Sequence, residues 1–403
     1  MLEVAIMGRR AKGEGTIFKD SNNYYVARIA VGKDPETGKT KHKVFKSKKK
    51  STVVEKMNAY KLLAAQGFGS VDPTSLDVFM RSWLENVKSN ELKPTSYDRA
   101  ERTIEINILP RIGHYSIGKL TPEIIQAELI NDMRDTPSPS THKPYSFSTI
   151  NKAYVYLHAC LQYAVNTKKL LLNPCDAVVL PTKKKAQMTK TIRFFNDDEI
   201  SKFKEAALAK SPKKESLIFP YAYAFLFDMY TGLRVGELVG LRWKNVDFDN
   251  RRIYIEEQII QVLDRDDVGK NGNPKLKPIL QNDTKTSRSR YVPLSRTALE
   301  CLTAMKPDKI EPDNFVINNS TKLLRSSCMA TGYRRICQRA GIENPLGIHT
   351  LRHTFASMLI RKEVDIKAVS EILGHTSVSF TYNTYVHLIE EQKSAAVAKL
   401  DDM

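Results

Sequence analysis

Residues 347 to 360 read GIHTLRHTFASMLI, and the polar side chains of this stretch crowd its first turn. Leu351, Phe355, Met358 and Leu359 fall at i, i+4, i+7 and i+8, the stripe of an amphipathic helix packed on a core. That stripe leaves His349, Arg352 and His353 unexplained. Two imidazoles and a guanidinium beside buried surface must find partners or face something anionic. Other stretches carry groups of the same kind. TGLRVGELVGLRW sets Arg234 and Glu237 at i, i+3 where a turn opens a helix, and NDTKTSRSRYVPL puts Lys285 just before a strand. LGHTSVSFTYNTYVHL gathers His375, Tyr382, Tyr385 and His387. Taken singly, each has a structural reading: Arg234 as the ion-pair partner of Glu237, Lys285 as a solvated turn lysine, a histidine after glycine as a cap or core residue.

Composition bounds what the anion could be. The chain has 403 residues, a net charge of +18 and 41% hydrophobic residues, too long for one ordinary core, so two or three domains are expected. A charge this positive favours a polyanion, and nucleic acid is the leading candidate, because lysine and arginine that neutralise phosphates release counterions and speed association. The five cysteines form no CxxC pair and have no histidine at zinc-finger spacing, which argues against structural zinc and a disulfide framework. The N-terminal stretch runs apolar and then basic, the reverse of a secretory signal. No run approaches the roughly 18 apolar residues of a membrane span, so a cytoplasmic protein with no membrane partner is expected.

The elements that must position these residues fall into three segments. Residues 8–68 read as three strands and a helix: GTIF, YYVARIAV and TKHKVF are separated by the turn signals DSNN and DPETGK. Tyr25, Ala27, Ile29 and Val31 share one face of the middle strand, and one face of the sheet can pack on the helix. The other face carries Arg28, beside a run holding Lys41 and Lys43 among six lysines, and it can read DNA as a β-ribbon or serve as a solvated edge. Residues 74–181 turn helical. One helix, just after Lys93, is entered through Pro94, Thr95 or Ser96 and ends before Pro110, another follows Thr121-Pro122, and another opens on a start carrying Ser148, Thr149 and Lys152. Those starts suit phosphate contacts and are equally ordinary as caps. Residues 182–194 form a basic linker, and residues 195–403 a domain that opens on a capping box, Asn196 with Glu199. Within it YIEEQIIQVL and RSRYVPL supply strands, separated by the polar stretch DRDDVGKNGNPKLKP. The fold class is multidomain and mainly α with small β-sheets: a three-stranded sheet plus helix, a central helical bundle, and a C-terminal mixed α/β domain.

In sequence order, arginine, lysine, HxxR, histidine and tyrosine resemble the tyrosine recombinase family, phage and conjugative-transposon integrases in particular; TGLRVGEL, HTLRHTFAS and LGHTSV...YNTYVH are the most specific pieces. The resemblance covers nearly the whole chain. It implies an arm-type DNA-binding domain, a core-binding domain and a catalytic domain, acting on core-type and arm-type sites as a homotetramer on double-stranded DNA, with an excision factor left open as a further partner. It also implies that Arg234, Lys285, His349, Arg352 and His375 bind the scissile phosphate and that Tyr385, ten residues after His375, is the nucleophile. Family members often carry threonine where this chain has Phe380.

A phenol has an ordinary pKa near 10, so Tyr385 needs a base or a strong positive field to attack phosphorus at neutral pH, and His349 is the candidate base. Arg234 and Arg352 offer bidentate donors to the charge that builds on the phosphorane, and Lys285 suits protonation of the departing 5′ oxygen. Glu237 orients a neighbouring side chain. His353, about 100° around the helix from Arg352, is given a structural place. No cofactor and no metal is implied, since the arginines do the charge work of paired metal ions. The rival readings are a DNA-binding regulator on the same scaffold and a metal-dependent transposase.

Overall fold

A computed structural model describes residues 15–33, 40–65, 74–139, 141–182, 192–269, 272, 274–282 and 289–398. The chain divides into two compact units, residues 1–184 and 185–403.

In the first unit, strands Thr16–Lys19, Tyr25–Lys33 and Thr40–Ser47 form an antiparallel sheet in that order, followed by helix Lys50–Ala65. Asp20 takes the N–H groups of Asn22 and Tyr24 and fixes the first turn. Ala27 and Ile29 pack on Val53 and Met57 of the helix, as the alternation predicts. Arg28 stays exposed on the other face, its guanidinium 5.7 Å from the Phe18 ring. Val26 shares that face, yet it is buried between its register neighbours Phe18 and Lys46. Lys43 pairs with Ile29 in register, so its position belongs to the helix-facing side rather than to the face of Arg28.

The helical part of this unit begins at Leu76–Trp83, whose Leu76, Phe79, Met80 and Trp83 at i, i+3, i+4 and i+7 are all buried. Ser75 caps it by accepting the Val78 N–H. Helix Pro94–Thr103 does not stop before Pro110. A π turn, Ile104–Ile108, carries it on through Leu109–Ile112, and the wider turn accommodates the proline's missing donor. Thr121 caps the segment that starts at Pro122, accepting the Ile124 N–H. The last helix, Phe147–Asn166, opens earlier than the sequence suggests, because Ser146 is its cap and takes the Thr149 N–H.

In the second unit the capping box forms as expected, with Asn196 and Glu199 exchanging hydrogen bonds at the start of helix Asp197–Ala207. Phe195 is fully buried against Phe203 and Tyr333, and its N–H donates to the Thr354 hydroxyl. Helix Ala222–Thr231 runs through the main core and packs against Arg296–Met305 and His349–Arg361. Strands Arg290–Pro293, Arg252–Ile255 and Val246–Asp247 make a small antiparallel sheet.

The stretch DRDDVGKNGNPKLKP is largely strand rather than loop. Gln258–Val268 and Pro274–Gln281 form a long two-stranded ribbon, in which Lys277 meets Asp264 and Lys275 meets Asp267 across the pair. Opposite charges at diagonal positions across the two strands let a polar sequence pair as a ribbon. Among the described residues no helix is long and apolar enough to cross a membrane.

Candidate active site

The second unit builds a polar pocket from two glycine turns and two helices. Thr231 ends its helix and Gly232 follows with φ 63°, a left-handed turn that reverses the chain. A Cβ at Gly232 would lie 2.4 Å from the Phe355 ring, so the turn and helix His349–Arg361 meet where only glycine fits. Gly374, φ 66°, ends helix Ile366–Leu373 in the same way and delivers His375.

Helix His349–Arg361 buries Leu351, Phe355 and Ile360, while Met358 and Leu359 are partly buried, close to the expected stripe. Arg352 lies on the buried side. Its Nη1 donates to the Gly232 carbonyl and its Nη2 to the Leu373 carbonyl, both at 2.7 Å. Burial first, and then the neighbouring Arg234, pull its pKa down to about 10, which leaves it charged at neutral pH.

Arg234 follows the Gly232 turn. Its Nη1 donates to Glu237 Oε1 at 2.7 Å and its Nη2 to the Gly374 carbonyl at 2.6 Å, while its backbone N–H donates to Glu237 Oε2. Glu237 is 1% exposed and receives a second guanidinium, Arg290, on both oxygens. Burial would push that carboxyl up, but hydrogen bonds and charge from Arg290, then Arg234, hold it at about 2.

His375 Nδ1 lies 2.7 Å from the Thr381 hydroxyl, and its ring meets the Phe380 ring edge-on at 4.9 Å. Burial, then Arg352 and Arg234, lower its pKa to about 3, so the imidazole is neutral. His349 sits at the exposed end of its helix, its pKa lowered by lost hydration and then by Arg352 and Arg234.

Tyr385 lies within helix Val378–Ala398 at a kink, φ −117° and ψ 20°, and is 1% exposed among Phe355, Leu373 and Leu388. Its hydroxyl is 2.8 Å from His353 Nδ1. Burial raises the phenol's pKa, and the charge of Arg352 pulls it the other way. Burial, then His349 and Arg352, lower His353 to about 4, so this ring is neutral and its Nδ1 can accept the phenol's proton. Among the described residues, the imidazole in reach of the Tyr385 hydroxyl is thus His353, which sequence reasoning set aside, and not His349. Tyr382 is partly buried three residues earlier.

The structure therefore brings together Arg234, Glu237, His349, Arg352, His375 and Tyr385, and adds His353 and Arg290. Lys285 lies outside the described residues. The site matches a family model described as "Phage integrase family" over residues 193–392, and the preceding helices match "Phage integrase, N-terminal SAM-like domain" over residues 76–134. The chain belongs to the phage integrase family of tyrosine recombinases.

Relatives of this recombinase include a tyrosine recombinase XerC-like protein of Caldanaerobacter subterraneus subsp. tengcongensis, 29% identical over 96% of this chain and 97% of that one. The ICEBs1 integrase of Bacillus subtilis is 24% identical over 96% of this chain and 100% of its own length. Among solved structures, the Tn1549 transposon integrase in complex with a circular intermediate DNA has a TM-score of 0.60 at 18% identity, covering 81% of this chain and 99% of that one. A lambda integrase tetramer bound to a Holliday junction has a TM-score of 0.56 at 18% identity, covering 90% and 95%. At these identities the two structures speak for the fold.

The expected DNA contacts of this recombinase all lie in its first unit. Arg28 and Lys43 are exposed on the sheet, and Lys41 stands opposite Gly32 in register. Lys93 precedes Pro94 as an exposed cap position, with Thr95 and Ser96 half-buried behind it. Ser148 and Lys152 are exposed on the first turns of helix Phe147–Asn166, while Thr149 lines a groove shared with Arg99, Arg102, Asn107 and Ser146. Arg99 and Arg102 of that groove lie within helix Pro94–Thr103, away from its start.

Proposed function

We propose that this recombinase integrates and excises a mobile DNA element by cutting and rejoining DNA through a covalent 3′-phosphotyrosine on Tyr385. The observation that carries the reading is the Tyr385 hydroxyl held on a neutral imidazole within a pocket whose two guanidiniums are anchored to backbone.

Tyr385 Oη attacks phosphorus and forms the O–P bond as the bond to the 5′ oxygen breaks, so bond energy is conserved for rejoining and no ATP is consumed. The phenol's proton passes to His353 Nδ1. The 5′ oxygen takes its proton from Lys285. Each guanidinium offers five N–H donors, so Arg234 and Arg352 keep donors for the nonbridging oxygens after anchoring themselves. His375 hydrogen bonds a phosphate oxygen, and His349 faces the anion from the first turn of a helix, where backbone amides favour negative charge.

The test is covalent trapping in EDTA, on DNA from the flanks of the protein's own gene nicked just beyond a candidate cleavage point. A covalent adduct on a denaturing gel is expected. Cleavage that stops in EDTA would move the chemistry to a metal-dependent transposase, and tight binding without an adduct to a regulator.

In this reading the element is a conjugative one rather than a prophage, and the protein works in the cytoplasm on the nucleoid. The first sheet serves arm-type sites and the helical segment core-type sites. Arg28→Ala is expected to weaken arm-site binding and reduce the slope of log affinity against log salt by about 1, leaving cleavage at the core intact. Lys43→Ala should do less, since its position faces the helix side. Unchanged arm-site affinity and slope for Arg28→Ala in a gel shift would count against this assignment.

Assembly as a tetramer is supported by the lambda integrase tetramer on a Holliday junction, a neighbour in fold. Deleting the residues after Ile389 is expected to weaken synaptic complexes on a native gel more than it weakens DNA binding. Unaltered synaptic complexes from the truncated protein would overturn a role for the C-terminal helix in docking onto the next protomer.

A further inference from the structure

Glu237 is served by more positive charge than one carboxylate requires, and the surplus has a definite source. Arg290 opens strand Arg290–Pro293, and its side chain is 11% exposed. Its Nη1 and Nη2 donate to Glu237 Oε1 and Oε2 at 3.1 and 2.7 Å, and its Nε donates to the Ile372 carbonyl at 2.9 Å. The Gly374 turn rests on the same guanidinium: a Cβ at Gly374 would come within 2.9 Å of Arg290 Nε, Cζ and Nη1.

These contacts complete a pattern. The carbonyls of Ile372, Leu373 and Gly374 accept, in that order, from Arg290, Arg352 and Arg234. Three guanidiniums thus gather on the C-terminal end of helix Ile366–Leu373, the end whose unpaired carbonyls and dipole favour cations. Two of the three belong to the phosphate pocket. The third, Arg290, takes both oxygens of Glu237.

We propose that Arg290 is a positioning residue of the recombinase. It neutralises Glu237 and braces the Ile372–Gly374 carbonyls, so that the charge of Arg234 remains available to the scissile phosphate. The physical reason is a count of charges. With Arg290 in place, two guanidiniums share one carboxylate and one positive charge is left over for the phosphate. Without it, Glu237 would face Arg234 alone in a poorly solvated site, where the pairing of opposite charges is strong, and Arg234 would be drawn into a closed pair. Arg290 touches no substrate in this scheme. It acts through Arg234, and the scheme rests on the recombinase reading above.

The experiment compares the full chain with Arg290→Gln, Arg290→Lys and the double variant Arg290→Gln/Glu237→Gln, by single-turnover adduct formation on the nicked DNA in EDTA. Gel-shift affinity and thermal melting are measured alongside. Arg290→Gln is expected to cleave about 100-fold more slowly, the scale of losing one oriented electrostatic contact, with DNA affinity within about threefold of wild type. The double variant, having lost the uncompensated carboxylate, is expected to regain about tenfold of that rate at a temperature where the thermal melt shows both variants fully folded, so that the recovery cannot come from refolding. Arg290→Lys keeps the charge and folds most safely, but it cannot bridge both oxygens and the Ile372 carbonyl, and should lose roughly tenfold.

Wild-type rates from both single variants, or a double variant no faster than Arg290→Gln, would overturn the proposal. If Arg290→Gln melts below the assay temperature, Arg290→Lys decides alone: a roughly tenfold slower rate at unchanged affinity supports it, and a wild-type rate refutes it. Absence of an adduct from the unmodified chain would instead refute the recombinase reading itself.

Discussion

Tyr385→Phe protein is expected to bind core-site DNA as tightly as the unmodified chain and to form no covalent adduct, a loss of roughly 10⁴-fold or more, the scale on which removing a nucleophile acts. The substitution separates chemistry from folding. The ring of Tyr385 is buried among Phe355, Leu373 and Leu388, and phenylalanine keeps all of that packing. What disappears is the hydroxyl and its bond to His353, worth about 1 kcal/mol of stability. A melting temperature within a few degrees of the unmodified chain should therefore accompany complete loss of the adduct. Adduct formation by Tyr385→Phe would transfer the nucleophile's role to Tyr382 or another hydroxyl, and would leave the His353 contact a packing detail.

Arg352→Lys is expected to lower the rate of adduct formation about 10³-fold, although it conserves charge. Arg352 spans two fixed acceptors, the carbonyls of Gly232 and Leu373, and an ammonium cannot reach both while also presenting paired donors to a phosphate. One carbonyl would be left buried without a partner, at about 1–3 kcal/mol, so a lower melting temperature is expected alongside the slower chemistry. DNA affinity should change only a few-fold, because it is spread over many phosphate contacts. Single-turnover trapping read together with a gel shift and a thermal melt checks all three. A rate within tenfold of the unmodified chain would show that charge alone suffices at this position.

Local features were legible in the sequence wherever the physics is local. The turn at Asp20, the cap at Thr121 before Pro122 and the Asn196–Glu199 box each depend on residues a few positions apart, and each formed as expected. The ordered set of arginine, histidine and tyrosine motifs was legible too, since its elements keep their spacing along the chain.

What escaped was geometry between distant elements. His353 was set aside from its angle around its own helix, but that angle does not reveal which other helix crosses nearby, and Tyr385 arrives on one that is kinked at that very residue. Arg290 meets Glu237 from 53 residues away and Ile372 from 82, separations at which no spacing rule operates. Pro110 looked like a helix end because the proline rule assumes a regular α turn, and a π turn precedes it. The strand at YIEEQIIQVL is legible, but its continuation through DRDDV and its return through PKLKP are not, because their polarity conceals ion pairs that exist only once the strands are side by side.

The arginines of the pocket are held largely by carbonyl oxygens, which every amino acid supplies equally. The grip asks nothing of the Ile372 and Leu373 side chains themselves, which instead pack into the core that fixes where the helix ends. A designer wishing to re-tune the surface of that helix has wide latitude at its outward positions. Gly232 and Gly374, which have no side chain to contribute, are the positions that cannot be given one. Two glycines with no polar group to offer are thus as constrained as the arginines whose carbonyl partners they help to place.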